Sequence, residues 1–253
     1  MKIGVCGIGR AGRALVAKIV RDNEHDLAFV INREDSDSIG RDAGEISGIG
    51  RIGITVSGMS KVVDLIQKQG ADVIIDFSNC YNTIQLLELV KNEKIGIVIC
   101  TTHFEENGLK KQLDVLKLST KGGVVYAPNL TLGINILINY VMRLSKMLPD
   151  FDFEIVERHR KDKTRPSTTA NIIAKEIDRE NVTIHSVRSG GYISVHEVTA
   201  ASEFERITIE HESFSRDAFA YGAMLAAQFI TEKTGYYEMK NVIEDIEKKT
   251  LGE

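Results

Sequence analysis

The sequence predicts an α/β protein: a doubly wound parallel sheet, followed by a second α+β region with a mixed, largely antiparallel sheet. Three observations predict it. Up to residue 127, short Val- and Ile-rich runs alternate with longer segments whose apolar residues recur every three or four positions, the pattern of parallel strands joined by helical crossovers. The turn Gly7-Ile8-Gly9-Arg10-Ala11-Gly12 stands between the first such run and the first helical pattern. Beyond Pro128 the alternation stops, and strand-like runs follow one another directly.

Taken in order, the apolar runs place strands at residues 2–6, 27–31, 73–77, 95–100 and 124–127, and the helical spacing places helices at 10–21, 61–69, 81–92 and 105–118. The second region reads as helix 133–147, strand 151–156, a helix after Pro166, and strands 182–187, 192–200 and 205–210. Residues 215–231 form the last expected helix, and its many small residues (Ala218 to Ala227) allow close packing. The Ser- and Gly-rich stretch 46–58 is expected to be a mobile loop.

Composition narrows the function classes. With 253 residues, 43% hydrophobic and 27% charged, the chain can bury a sizeable core. Cys6, Cys80 and Cys100 are far apart with no CxxC pair, and only His103 stands near one of them, so neither a disulfide framework nor a metal site is expected, and a reducing compartment is. No charged leader precedes the first strand, and no apolar run approaches the roughly 20 residues that span a bilayer. A cytoplasmic protein without a membrane partner is expected. The net charge of -4 argues against general nucleic-acid binding.

The glycine turn has a specific chemical use. Gly7 permits the tight turn, Gly9 lets the backbone approach a pyrophosphate, and Gly12 lets helix and strand pack closely. The helix amino terminus, with Ile8, Arg10 and Ala11, then offers N–H groups and partial positive charge to phosphates. At the end of the second strand an acidic residue would accept hydrogen bonds from the adenosine ribose; this chain has Asn32-Arg33 there. An amide followed by a guanidinium removes repulsion and supplies a fork for a 2′-phosphate, which favours NADPH over NADH. Glu34 and Asp35 follow closely, so NADH use stays open.

A second concentration of charge lies at residues 157–165, with five cations against two anions. It reads either as a solvated basic loop or as a pocket for a small molecule with several carboxylates, and Pro166-Ser167-Thr168-Thr169, a helix start with hydroxyls and backbone N–H groups, favours the pocket. His159 is the group there suited to proton transfer near neutral pH. Its cationic neighbours should disfavour protonation in the empty site, and a bound dianion should reverse that. His196 is read as structural, while His25, His185 and His211 carry no signal.

Together, Gly40 to Glu45 with Gly53 to Val56, Asp76-Phe77-Ser78, Thr101-Thr102, Ala127 to Leu130, Glu157 to Ala170, Arg188 to Val198 and Ser215 to Ala223 resemble, in order, the blocks of 4-hydroxy-tetrahydrodipicolinate reductases. The resemblance implies a Rossmann-like dinucleotide-binding domain at residues 1–127 and 216–253, and a substrate-binding and oligomerisation domain at 128–215 that assembles a homotetramer. It implies NADPH- or NADH-dependent reduction of a cyclic imine dicarboxylate in lysine and diaminopimelate biosynthesis. In its terms His159 matches the proton donor or acceptor and Lys163 the catalytic lysine. Gly7 to Gly12, Asn32, Arg33, Phe77, Cys100, Thr101, Thr102, Ala127, Pro128, Asn129 and Leu130 match the nucleotide set. Arg160, Ser167, Thr168, Thr169 and Arg216 match the substrate set.

The departures concentrate in the substrate segment. Arg160 replaces a second histidine, Thr168 replaces a glycine, and one residue fewer separates Lys163 from Pro166, which makes Lys161 an alternative to Lys163. The turn GxGxxG is one residue shorter than the family's usual form, and His103 stands where a glycine is usual. Two other functions therefore remain in view: reduction of another imine or keto dicarboxylate, and a dinucleotide-binding regulatory protein without turnover.

Overall fold

The computed structural model describes residues 1–252. Its elements are β1 (Lys2–Cys6), α1 (Arg10–Arg21), β2 (Asp26–Asn32), α2 (Ala43–Ile46), β3 (Val56–Gly58), α3 (Val62–Gln69), β4 (Val73–Asp76), α4 (Cys80–Val90), β5 (Gly96–Ile99), α5 (Lys110–Ser119) and β6 (Gly123–Tyr126). There follow α6 (Leu132–Met147), β7 (Asp152–His159), α7 (Thr168–Ile177), β8 (Thr183–Arg188), β9 (Ser194–Ala201) and β10 (Arg206–Ser213), then α8 (Asp217–Ile230), β11 (Gly235–Glu238) and α9 (Met239–Leu251). The chain divides into two units, residues 1–130 with 219–253 and residues 131–218.

The first unit is a seven-stranded parallel sheet in the order β11-β6-β5-β4-β1-β2-β3. Its strands read as unbroken apolar runs because both faces are covered. Val73 and Ile75 join a core with Leu15, Val16 and Ile19 of α1, Ala223 and Ala227 of α8 and Val242 of α9. Ile74 faces the other way, into Ile66 of α3, Ile84 and Leu87 of α4 and Leu113 of α5. The strand order reverses between β1 and β4, so the switch point where open α/β sheets bind ligands falls at Gly7.

Three stretches of this unit differ from expectation. Residues 46–58 are held rather than mobile, because the Asp42 carboxylate accepts the backbone N–H groups of Gly44, Glu45, Ile52 and Gly53, and β3 pairs with β2. The helix expected from residue 105 begins at Lys110, after a turn that places Gly108 at φ 68°. Beyond the expected last helix, β11 adds an edge strand beside β6, and α9 follows with a capping box between Glu238 and Asn241.

The second unit is a four-stranded sheet, β10-β9-β7-β8, antiparallel except for the β7–β8 pair. One face packs on α6 and α7 through Ile134, Leu137, Phe153, Ile155, Ile173 and Val198. The strand expected to end at residue 156 runs on to His159. That extension places Glu157 and His159 on the buried face and Arg158 on the other, since alternate residues of a strand point to opposite faces.

Candidate active site

In the first unit, the carboxyl ends of β1, β2 and β4 border a cleft of about 500 Å³ lined by Gly7, Ile8, Gly9, Arg13, Asn32, Arg33, Ser36, Ser38, Arg41 and Phe77, among others. The glycine turn fits a dinucleotide on local geometry. Gly7 has φ 87°, and a Cβ there would lie 2.8 Å from the Ser78 backbone; a Cβ on Gly12 would lie 2.0 Å from the Gly7 carbonyl oxygen. Gly9, by contrast, faces open space and caps α1 with no side chain, and the first turn of α1 has no acidic residue. Phosphate oxygens can therefore approach the turn backbone directly. Arg10, Ala11 and Gly12 form that first turn.

An adjoining cleft of about 550 Å³ shares Phe77, Ser78 and Asn79 and continues past Cys100, Thr101 and Thr102. Asp76, fully buried at the end of β4, shapes it by accepting the amide and hydroxyl of Ser78 and the hydroxyl of Thr83, which in turn meets Thr101 Oγ1 at 2.7 Å. Burial raises the Asp76 pKa against those hydrogen bonds, and burial, with Asp76 beside it, raises that of the Cys6 thiol. Ala127, Pro128, Asn129 and Leu130 follow β6 at the same edge, with the Ala127 N–H bonded to Ile99 O.

The ribose end differs from the sequence reading in one respect. Asn32 does not offer its amide to the cleft: Nδ2 donates to Ser36 and Ser38, and Oδ1 accepts the Arg33 N–H, so the side chain organises its own loop. Arg33 is exposed, with Nε 3.3 Å from Asp35 Oδ1. Glu34 is turned to the Ser60 N–H. Arg41, absent from the sequence-based set, adds a second guanidinium to the cleft.

In the second unit, Glu157, His159, Ser167 and His196 are buried together. His159 Nδ1 lies 2.7 Å from Glu157 Oε2 as a close ion-pair contact, and among the described residues neither atom has a partner in hydrogen-bond geometry. Glu157 Oε1 accepts from Arg188 Nη2, Ser186 Oγ and the Ser167 N–H. Burial alone would raise the Glu157 pKa; these donors outweigh it and hold it at about 2. The His159 pKa is lowered, chiefly by burial, with Arg188 and Lys163 adding and Glu157 opposing. Charge alone was the sequence-based reason; desolvation is the larger one. The donor atoms of Glu157, His159 and His196 come within 4.8 Å of one another. With three donors on Oε1 and the cations Arg188 and Lys163 alongside, the cluster suits a hydrogen-bond relay better than a dication.

The nine-residue cationic stretch does not act as one patch. Arg158, on the opposite face of β7, pairs with Glu197 and Glu210, and Arg160 Nε pairs with Asp162 at 2.7 Å. Lys161, Lys163 and Arg165 are exposed. Ser167 caps α7 through the Ala170 N–H and meets His196 Nε2 at 3.2 Å, so its hydroxyl is engaged within the protein. Thr168, exposed, and Thr169 open the first turn of α7. Arg216 is exposed ahead of α8 and joins none of these hydrogen bonds. Sequence reasoning missed Glu157 and Arg188 as site residues; a buried arginine pairing across two strands carries no local sequence signal.

Family models described as the amino and carboxyl termini of dihydrodipicolinate reductase match residues 1–130 and 133–243. The chain belongs to the dihydrodipicolinate reductase family. A 4-hydroxy-tetrahydrodipicolinate reductase of Methanopyrus kandleri is 32% identical, covering 93% of each chain, and one of Hahella chejuensis is 33% identical, covering 96% of this chain and 98% of the relative. The fold is also that of a dipicolinate-bound dihydrodipicolinate reductase from Paenisporosarcina sp. TG-14, with a TM-score of 0.75 at 22% identity over 95% of this chain and 98% of that one. As in its family, the amino-terminal part is a nicotinamide dinucleotide domain. Among the described residues no helix is long and apolar enough to cross a membrane.

Proposed function

We propose that this chain reduces 4-hydroxy-tetrahydrodipicolinate to tetrahydrodipicolinate, with NADPH favoured over NADH, in lysine and diaminopimelate biosynthesis. The observation that carries the reading is His159, buried at the end of β7 with Nδ1 against an ionised Glu157, beside the loop that bears Lys163. When bound, the nicotinamide supplies a hydride. The chain's own residues do the rest. Gly7 to Gly12 hold the pyrophosphate, with Phe77, Cys100, Thr101, Thr102 and Ala127 to Leu130 along the nucleotide, and Arg33 and Arg41 favour a 2′-phosphate, against which Asp35 acts. Thr168 and Thr169 offer the positive end of α7 to a carboxylate, Lys163 anchors the dianion, and Arg160 and Arg216 supply further positive charge. Once the 4-hydroxyl and a proton of the adjacent ring carbon have left as water, the conjugated imine takes the hydride at one end, and His159 as imidazolium gives its Nε2 proton to the carbon at the other, leaving a neutral ring with Nδ1–H towards Glu157.

The same reading makes residues 131–218 the substrate and assembly domain of a cytoplasmic homotetramer. Val187 and Ile207, partly exposed on β8 and β10, give the second sheet apolar surface for a subunit contact. The test is NADPH and NADH oxidation with freshly generated substrate. Turnover only with another imine or keto dicarboxylate would shift the substrate; thermal stabilisation by NADPH without turnover would replace the reading by a dinucleotide-responsive binding protein.

A further inference from the structure

We infer that Glu157 and Arg188 are a positioning pair that presents His159 in one orientation and fixes the Lys163 loop beside it. The inference rests on the reading of His159 as proton donor. Both side chains of the pair are fully buried, with Arg188 Nη2 2.7 Å from Glu157 Oε1. A carboxylate and a guanidinium are retained out of water only where their remaining bonding capacity is met, because desolvation of each ion costs several kcal/mol. Here Oε1 and the guanidinium nitrogens are hydrogen-bonded, and Oε2, without a hydrogen-bond partner of its own among the described residues, is left facing His159 Nδ1. On the acid, Oε1 is filled by Arg188, Ser186 and Ser167, which leaves Oε2 for His159 Nδ1. On the base, Nε donates to Lys163 O at 2.9 Å, Nη1 to Val187 O at 2.8 Å, and Nη2 also to Thr164 O.

The strand register explains the arrangement. His159 stands opposite Arg188, and Glu157 opposite Ser186, in the parallel β7–β8 ladder. Glu157 and His159, two apart, share the buried face, so one carboxylate can meet both the ring and the guanidinium. An ionised acceptor on Nδ1 selects the Nδ1–H tautomer of the neutral ring and leaves Nε2 as the atom that exchanges protons. The charged and titratable groups facing His159 are Glu157 on its own strand, Arg188 on β8, His196 on β9 and Lys163 on the loop. Glu157 is the only anion among them, and thus the one that favours the imidazolium. The guanidinium also bonds two consecutive carbonyls of the loop, so the position of Lys163 depends on the ion pair that orients the histidine.

The first test needs no activity. In full-length protein labelled with ¹⁵N-histidine, His159 at alkaline pH is expected as the Nδ1–H tautomer; an Nε2–H ring would overturn the inference even if Glu157→Gln failed to fold. In folded Glu157→Gln the His159 pKa should fall, and the high-pH decline of kcat/KM should move to lower pH, with a loss of at least about tenfold at alkaline pH by analogy with orienting carboxylates of other catalytic histidines. An unchanged His159 pKa in that variant would also overturn it. Arg188→Lys keeps the charge but cannot reach both loop carbonyls; weaker inhibition by dipicolinate with an unchanged tautomer is expected, and unaltered inhibition would separate the loop from the pair. If His159→Ala retains full turnover while the tautomer and pKa results hold, the role of His159 is wrong and the pairing is right.

Discussion

His196 packs edge-on against His159, with ring centroids 5.2 Å apart and planes inclined at 72°. Burial, followed by the neighbouring His159, lowers the His196 pKa to about 3. In the folded protein this ring stays neutral where the unfolded chain, with an ordinary pKa near 6.5, takes up a proton. Its contribution to stability is therefore complete above about pH 6.5 and is lost as pH falls from there towards 3, by about 2 kcal/mol at pH 5. Glu157, depressed to about 2, contributes above its ordinary 4.5 and is lost as pH falls further. Urea unfolding at pH 8 and pH 5 checks this. In His196→Gln the difference between the two should shrink by about 2 kcal/mol, and an undiminished difference would show that His196 is not buried neutral.

His159→Ala is expected to lower kcat by roughly 100- to 10,000-fold with nucleotide affinity nearly intact, the usual worth of general acid catalysis. The His159 pKa is lowered by burial and then by Arg188 and Lys163, against the opposing Glu157. A bound dianion opposes those two charges, so the pKa read from kcat should exceed that read from kcat/KM. Equal values would count against coupling between substrate charge and the acid.

Lys163→Ala should reduce turnover and weaken inhibition by dipicolinate, and Lys163→Arg should not restore either fully, because a guanidinium cannot place its charge at the ammonium position. Arg188 holds the Lys163 and Thr164 carbonyls, whereas among the described residues no such tie is present at Lys161, which makes Lys163 the better placed of the two. Full activity in Lys163→Ala with loss in Lys161→Ala would reverse the assignment.

Arg33→Ala should weaken NADPH more than NADH, by about tenfold, the low end for a charge-assisted hydrogen bond because the guanidinium is exposed. Asp35→Asn should strengthen NADPH by freeing Arg33. Asn32→Glu, the switch that sequence alone offers, would instead break the bonds to Ser36 and Ser38 and weaken both nucleotides. Titration of both nucleotides against the three variants decides between these outcomes.

Gly12→Ala places a methyl group 2.0 Å from the Gly7 carbonyl oxygen. The first turn of α1 must shift, which should cost about 1–3 kcal/mol of stability and weaken both nucleotides alike. Wild-type melting and affinity in this variant would show that close packing at the turn is dispensable.

The parallel strands were legible because residues such as Ile3, Val5 and Val73 to Ile75 must be apolar on both faces of a covered sheet. β3 and β11 were not, since three- and four-residue edge strands leave no repeat to read, and α9 hides its buried Met239, Val242 and Ile243 among lysines and glutamates. At the site, the glycine turn and His159 were visible because their chemistry resides in adjacent residues. Asn32 was misjudged because the serines that occupy it, four and six residues on, gave no sign of the turn that brings them back. Arg188 went unnoticed because its partnership with Glu157 exists only once β7 and β8 align.

The crossing points at Leu130 and Gly222 touch so closely that a methyl group on Gly222 would lie 1.7 Å from the Leu130 carbonyl oxygen. During synthesis, a nascent chain that has emerged only as far as β6 therefore lacks α8, β11 and α9, and keeps one edge of its sheet and the apolar surface around Ile3, Val5 and Val73 uncovered. Residues 131–218 are all synthesised before that surface can be closed. The nucleotide-binding unit, although it is made first, is finished last.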